Sequence, residues 1–415
     1  MSTITDDAYW NKLDEQVALT TAIKATHSGL GDWNGVLCRA VVEWSNDYYV
    51  FQISEILKLD LDDCVFELQT DKYRFIVTGM VTGERNTVNH AEGWHSRHSA
   101  GKVDHFCTAG WLVNGISRYR SFYDCGSDRL IRDFFGFQDS FEFNLNQTPY
   151  RLLAHGRHVV VEVLRETPYE IYSENVYNIM VAIGFVTGKF IQEHNYTFQL
   201  REDDLSSEWL YRRLRSGSSS MYHALTWNAY GYKHLLGQEK ADIIYDSKIL
   251  KPLDTDVLGR LAQLSNNRHA IQYALVLFNE ANSDKLSLLV KNSCFYTVLE
   301  VLRKYFYQVF KPRLPENYSN LGNIPKFKAV FSQLVSLSDT EEAMLKRRNA
   351  ILHGEVDDIG GTEMIALMQM QISLIYRLLL AYTGFDGYVI NHYALRNQLP
   401  DQAFIKLGQA DPKRS

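Results

Sequence analysis

Ser338-Asp339-Thr340-Glu341 opens, and Lys346-Arg347-Arg348-Asn349-Ala350-Ile351-Leu352-His353-Gly354-Glu355 closes, the stretch on which the reading of this chain turns. Ser338 with Glu341 three residues on has the spacing of a capping box, in which each side chain satisfies the other's backbone N–H at a helix start. Gly354 suits the left-handed position just past a helix end. One helix is therefore expected from Ser338 to about Gly354. Upstream, Leu258, Leu261 and Leu264, then Ile271, Ala274, Leu275, Leu277 and Phe278, recur at helical spacing. Leu286 to Phe306 reads as one long helix introduced by Asn282-Ser283-Asp284, and a further helix runs from about Glu363 to Tyr382. This predicts an α-helical bundle of four to six helices over residues 251–385, with 386–415 as a C-terminal tail.

Towards the N-terminus the pattern changes near residue 205. Tyr48 to Phe51, Cys64 to Leu68, Tyr73 to Val77 and His158 to Val163 are short, aromatic or β-branched runs bounded by polar residues, as strands are. Between Ser173 and Phe190, Val176, Ile179, Met180, Ala182, Ile183 and Val186 suggest one helix, and Tyr196 to Phe198 another strand. The expected class is α+β: a β-rich domain over 1–205, a linker region over 206–250 and the helical bundle after it. Ser216-Gly217-Ser218-Ser219-Ser220 suits a loop or hinge.

The composition narrows the function. The 415 residues exceed one ordinary domain and are 46% hydrophobic and 22% charged, close to an ordinary globular chain. The net charge of −6 excludes a global basic field, so any nucleic-acid contact must come from a local patch. Residues 301–350 supply one: nine basic residues, among them Lys304, Lys346, Arg347 and Arg348, face four acidic ones. Cys38, Cys64, Cys107, Cys125 and Cys294 form no CxxC pair and suit a reducing compartment. The first residues lack a secretory apolar region, and Gln369, Gln371 and Arg377 interrupt the longest apolar stretch. The expectation is a cytoplasmic protein without a membrane partner.

Arg348 and His353 are the residues best suited to chemistry. A His changes charge near neutral pH and is a natural acid or base. An Arg presents a planar fork that clamps a phosphate and stabilises developing charge. Together they suit RNA cleavage without a metal: one group helps the ribose 2′-OH attack the adjacent phosphate, and another protonates the leaving oxygen. One His cannot easily do both, whereas a symmetric dimer brings two His and two Arg to one cleft. Asn292, Tyr296 and Glu300 lie at i, i+4 and i+8 of the long helix and form a polar stripe in apolar surroundings. A carboxylate placed there needs a partner, and Glu300 paired with Arg348 would orient the guanidinium.

Arg348-Asn349-Ala350-Ile351-Leu352-His353 resembles the R-x(4–6)-H motif of HEPN domains, with Asn after the Arg and Gly after the His. Val298-Leu299-Glu300-Val301-Leu302 resembles the Leu-Glu element of the preceding HEPN helix. The whole arrangement is similar to the Apea-like HEPN proteins of bacterial phage defence, which carry a β-rich domain ahead of the bundle. Residues 176–190, with Gly184-Phe185-Val186-Thr187-Gly188, are faintly similar to a helix-to-strand element near the end of that domain. The resemblance covers the last third of the chain. It implies a metal-independent endoribonuclease without cofactors, acting as an abortive-infection effector and a homodimer through the bundle. Arg348 and His353 would then be catalytic, Asn349 supporting and Glu300 an organiser. Lys304, Lys346, Arg347 and Tyr296 would contact RNA. Transfer RNA as substrate, and a phage-derived trigger or protein inhibitor as partner, are further implications.

Other readings remain. The Arg-to-His string also suits a plain helix end, with His353 and Lys346 answering the dipole. The alternative function is a non-catalytic dimerisation or binding module whose β domain grips a protein or nucleic acid. His90, His95, His98, Asp104, His105 and Cys107 have metal-ligand chemistry, but their order matches no zinc pattern, and a solvated loop suits them better. Arg212-Arg213-Leu214-Arg215 suits a solvated face, and less a nucleic-acid contact; Tyr48, Tyr49, Tyr119, Phe122 and Tyr123 suit sheet packing more than base stacking.

Overall fold

Apolar alternation builds the first half of the molecule. In Phe141–Leu145, Phe141, Phe143 and Leu145 are buried while Glu142 and Asn144 are exposed, the period-two pattern of a strand covered on one face. The computed structural model describes residues 7–24, 26–33, 36–45, 48–54, 66–70, 74–89, 95–108, 110–111, 115–125, 140–191, 194–200, 208–213, 218–219, 222, 255–283, 285–355, 358–399 and 402–408. Within them, helix α1 (Asp7–Ile23) precedes strands β1 (His27–Trp33), β2 (Val36–Ser45), β3 (Tyr48–Ser54), β4 (Phe66–Gln69), β5 (Arg74–Asn89), β6 (His95–Thr108) and β7 (Ile116–Asp124). Then come β8 (Phe141–Leu145), β9 (Thr148–His155), β10 (His158–Val163), β11 (Thr167–Pro168), helix α2 (Tyr169–Thr187), β12 (Lys189–Phe190), β13 (Asn195–Leu200), β14 (Trp209–Arg212) and β15 (Ser218–Ser219).

The large antiparallel sheet runs β3-β2-β1-β4-β5-β6-β14-β13-β7-β10-β9-β8, and β3 also pairs with β6. That extra pairing closes β1 to β6 on themselves. One edge of β6 serves twice: His98 to Val103 pair with β3, and His105 to Cys107 with β14. Asn146 and Gln147, both with left-handed φ, make the two-residue turn that joins β8 to β9. One face of the sheet packs Phe122, Val160, Tyr196, Phe198, Trp209 and Tyr211 under α1. There Arg120, fully buried, meets Glu162 Oε1 at 3.0 Å and donates to Gln16 Oε1 at 2.7 Å, while the Tyr9 hydroxyl donates to Glu162 Oε2 at 2.8 Å. A buried ion pair with such hydrogen-bond partners is held in one geometry.

The helical half contains α3 (Thr255–Asn267), α4 (His269–Ala281), α5 (Leu288–Phe310), α6 (Asn323–Phe331), α7 (Asp339–Lys346), α8 (Arg348–His353), α9 (Gly361–Tyr382) and α10 (His392–Arg396). Strands β16 (Gly387–Ile390) and β17 (Phe404–Leu407) form a hairpin beside α9. The α+β class, with a β-rich region followed by a helical one, is what the molecule has. By length and composition α9 is apolar enough to cross a membrane, yet 78% of its most apolar window is buried against the rest of the chain. Its Arg377 donates to Glu341 Oε1 at 2.6 Å, an ion pair inside the bundle.

Two stretches differ from the expected organisation. Trp209–Arg212, expected within the linker, is a strand between β6 and β13, because its apolar residues are covered on both faces. Residues 223–254 lie outside the described residues. The expected tail from 386 holds the β16–β17 hairpin and α10, with Val389, Ile390, Ala394 and Leu395 buried. Finally, the two halves share one core. Helix α2 packs on α3 and α4, and Phe185 meets Phe278 and Tyr376 with ring centroids 5.1 and 4.8 Å apart. Gly184 permits this approach, since a Cβ there would lie 2.9 Å from Asn279 Nδ2.

Candidate active site

The polar stripe on α5 holds three neighbouring helices. Asn292 Nδ2 donates to the Met364 carbonyl of α9 at 3.0 Å, and the Tyr296 hydroxyl donates to the Met344 carbonyl of α7 at 2.6 Å. Glu300 reaches Arg348 of α8, with Oε1 2.7 Å from Nε. The Nε–H does not point along that contact, so it is an ion pair and not a well-aligned hydrogen bond. Glu300 Oε2 receives Arg303 Nη2 at 2.9 Å and Nε at 3.1 Å. Arg303 Nη1 donates to the Tyr318 hydroxyl at 3.0 Å, and its guanidinium lies 5.3 Å from the centre of the Phe327 ring. Burial works against the Arg303 charge, but Glu300 and Tyr318 outweigh it and hold its pKa above the usual value. Arg303 was not among the expected site residues; its i+3 spacing from Glu300 is the signal that marks it.

Ser338 and Glu341 form the expected capping box: Glu341 N–H donates to Ser338 Oγ at 3.2 Å and Ser338 N–H to Glu341 Oε2 at 2.9 Å. The helix that follows is not continuous to Gly354. It breaks at Arg347, and α8 begins at Arg348. At its far end Gly354 takes φ +74°. Gly354 N–H donates to the Ile351 carbonyl at 3.3 Å and Glu355 N–H to the Ala350 carbonyl at 2.8 Å, the paired bonds of a Schellman end.

His353 is exposed on the last turn of α8 and makes no hydrogen bond or ion pair among the described residues. Arg348, at the other end, keeps only 20% of its side chain exposed. Five helical residues separate the two by about 7.5 Å along the axis and about 140° around it. Arg348 turns inward to α5 and His353 outward. Asn349 is exposed, and its Oδ1 accepts from Arg348 Nη1 at 2.7 Å, so it holds the guanidinium from its own helix.

The expected RNA contacts divide. Lys304 and Lys346 are exposed and without an ion pair among the described residues. Arg347 is half-exposed and pairs with Glu363 at 3.1 Å. Tyr296 departs from its expected role: it is fully buried, burial raises its hydroxyl pKa, and no ring face is left for a base. The local cationic excess is also partly spent within the fold, since Arg303, Arg347, Arg348 and Lys328 all have carboxylate partners.

His95, His98, Asp104, His105 and Cys107 stand on strand β6, not on a loop; His90 lies outside the described residues. Cys107 is buried, and desolvation pushes its thiol up to about 11, which disfavours the thiolate a metal needs. Tyr49, Tyr119, Phe122 and Tyr123 are buried in the two cores, so they pack the sheet. Tyr48 is on β3, Arg212 lies over the sheet beside α2, and Leu214 and Arg215 are outside the described residues.

No family model matches this chain, and no curated protein or solved structure is significantly similar to it.

Proposed function

We propose that this chain is a metal-independent endoribonuclease of the HEPN type, with Arg348 and His353 as its catalytic pair. The observation that carries the reading is the division of α8: a guanidinium held by Glu300 and Asn349 at one end, an exposed His without a partner among the described residues at the other. A positioned Arg loses little freedom on meeting a phosphate and stabilises charge that develops there. His353 is free to take the proton of the 2′-OH or to return one to the departing 5′-oxygen. The products are a 2′,3′-cyclic phosphate and a 5′-hydroxyl. Because Arg348 and His353 diverge on one helix, a second copy supplying its own pair completes the site. Lys304 and Lys346 would steer the backbone of the RNA. Cleavage of transfer RNA as an anti-phage effector, under a phage-derived trigger or a protein inhibitor, extends the same proposal.

The Glu300–Arg348 contact also favours a second reading. A neutralised Arg is a sound structural strut, and the bundle would then be a dimerising or binding module. Incubating the purified chain with total RNA in EDTA, beside Arg348→Ala and His353→Ala variants of matched fold and size, separates the two. The nuclease reading expects cyclic-phosphate ends from the parent and at least a hundredfold less from either variant. Equal cleavage by all three proteins sinks the assignment. Silence from the parent in infected-cell extract as well would favour the binding module.

A further inference from the structure

Helices α3, α5 and the end of α9 leave a cavity of about 460 Å³ between them. Arg260, Leu264 and Asn267 reach it from α3, where their spacing of four and three residues puts them on one face. Arg268 joins them from the start of α4, Tyr305 from α5 and Tyr382 from α9.

Two guanidinium groups share this opening with a pair of phenols. The Tyr305 and Tyr382 hydroxyls are 3.0 Å apart. One of them donates to the other, so the second O–H of the pair is left to donate elsewhere. Burial raises the Tyr305 pKa, the Tyr382 hydroxyl adds to that, and the charge of Arg268 acts in the opposite sense. Tyr305 therefore keeps its proton, and Arg268 lies within electrostatic reach of the pair. Arg260 Nε donates to the Thr383 carbonyl at the end of α9, at 2.6 Å. That bond fixes the guanidinium and leaves both Nη groups without a bond among the described residues. The Arg268 side chain makes no hydrogen bond or ion pair among them either. Asn267 Oδ1 accepts from Gln263 Nε2 at 2.6 Å, which leaves the Asn267 amide N–H groups to donate.

Both arginines are exposed, so a solute reaches them from water. Among the described residues no Asp or Glu lines the cavity. In a chain of net charge −6, this opening gathers two arginines and no carboxylate. Like charges at one opening repel, and an anion bound between them removes that cost.

We infer that this cavity binds the phosphate group of a small phosphate monoester. The polar groups left free there are donors, so the ligand is an acceptor and an anion. Two guanidinium forks match a dianion, and a phosphate monoester carries about −1.5 to −2 at neutral pH, where a carboxylate carries a single charge. The cavity is larger than one phosphate, and Leu264 with the two tyrosine rings offers apolar wall to the organic part. The site shares no residue with α8 or with the Glu300 network and does not rest on the nuclease proposal.

The test is thermal shift and calorimetry on the full chain with glycerol 3-phosphate and ribose 5-phosphate. Inorganic phosphate, ribose, acetate and sodium chloride are run beside them, the salts at matched ionic strength. At least one ester should raise the melting temperature by several degrees, while ribose, acetate and sodium chloride do not. Arg268→Gln alters an exposed side chain that bonds to nothing among the described residues. It should keep the unliganded melting temperature and weaken the ester about tenfold or more. Arg260→Gln, shown folded by its unliganded melt, should weaken it similarly. The proposal is overturned if neither ester binds up to millimolar concentration, if inorganic phosphate, acetate or sodium chloride reproduces the shift, or if the folded variants bind as the parent does.

Discussion

Glu300 holds two arginines of the candidate site from one helix. Its two oxygens are divided between Arg348 and Arg303, so the guanidinium proposed for catalysis is fixed from α5 and not only by its own helix. A second single-residue feature lies across the molecule in His158, which is 4% exposed on β10 and has Nδ1 without a partner among the described residues. Desolvation lowers its pKa from 6.5 to about 4. The unfolded chain therefore takes up this proton below about pH 6.5, while the folded chain resists until near 4. Stability from this group is complete above pH 6.5, falls between 6.5 and 4, and levels off below that, a loss of about 3 kcal/mol. His158→Phe is expected to flatten this part of the stability curve, measured as denaturation midpoint against pH. Parallel curves for parent and variant would place the acid sensitivity elsewhere.

At the scale of elements, α7 and α8 are a start and a stop separated by a break. The capping box sets the start, and Glu341 also binds Arg377 of α9, so one side chain both opens α7 and docks it. The stop depends on Gly354, whose φ of +74° suits a residue without Cβ. A Cβ there would meet nothing within 4 Å, so the penalty of Gly354→Ala is backbone strain alone. It should cost about 1 kcal/mol in chemical denaturation. Because His353 precedes it directly, the proposed RNA cleavage should fall as well. A variant with unchanged stability would show that the left-handed turn is not held in solution.

At the scale of the whole molecule, the sheet and the bundle are joined by α2. Phe185 sits where this helix, α4 and α9 meet, with no exposure. Phe185→Ala is expected to cost about 3–5 kcal/mol, as truncation of a buried aromatic does. Both halves should be weakened together, so tryptophan fluorescence (dominated by the sheet half) and helical circular dichroism should shift to one new midpoint. Two separated transitions, with only one moved, would show that the halves unfold independently despite their shared core.

The residues themselves determined much of the helical half. Ser338 and Glu341 declared a helix start, Gly354 a stop, and the Asn292–Tyr296–Glu300 spacing a stripe that needed partners, because capping and helical periodicity are local physics. The strands at Tyr48, His158 and Tyr196 were legible for the same reason, each carrying its own β-branched or aromatic run. What the sequence could not determine depended on distant pairings. Trp209–Arg212 looked like the start of a linker because its four residues become a strand only between β6 and β13. Tyr296 looked like a surface contact because nothing nearby in the chain shows that α7 covers it. The N-terminal helix and the hairpin after residue 386 carry no such local signal, since each is stabilised by the face it lies on. The cavity of Arg260 and Arg268 exists only once α3, α5 and the end of α9, far apart in sequence, pack together, because the walls of a cavity are set by packing and not by spacing along the chain.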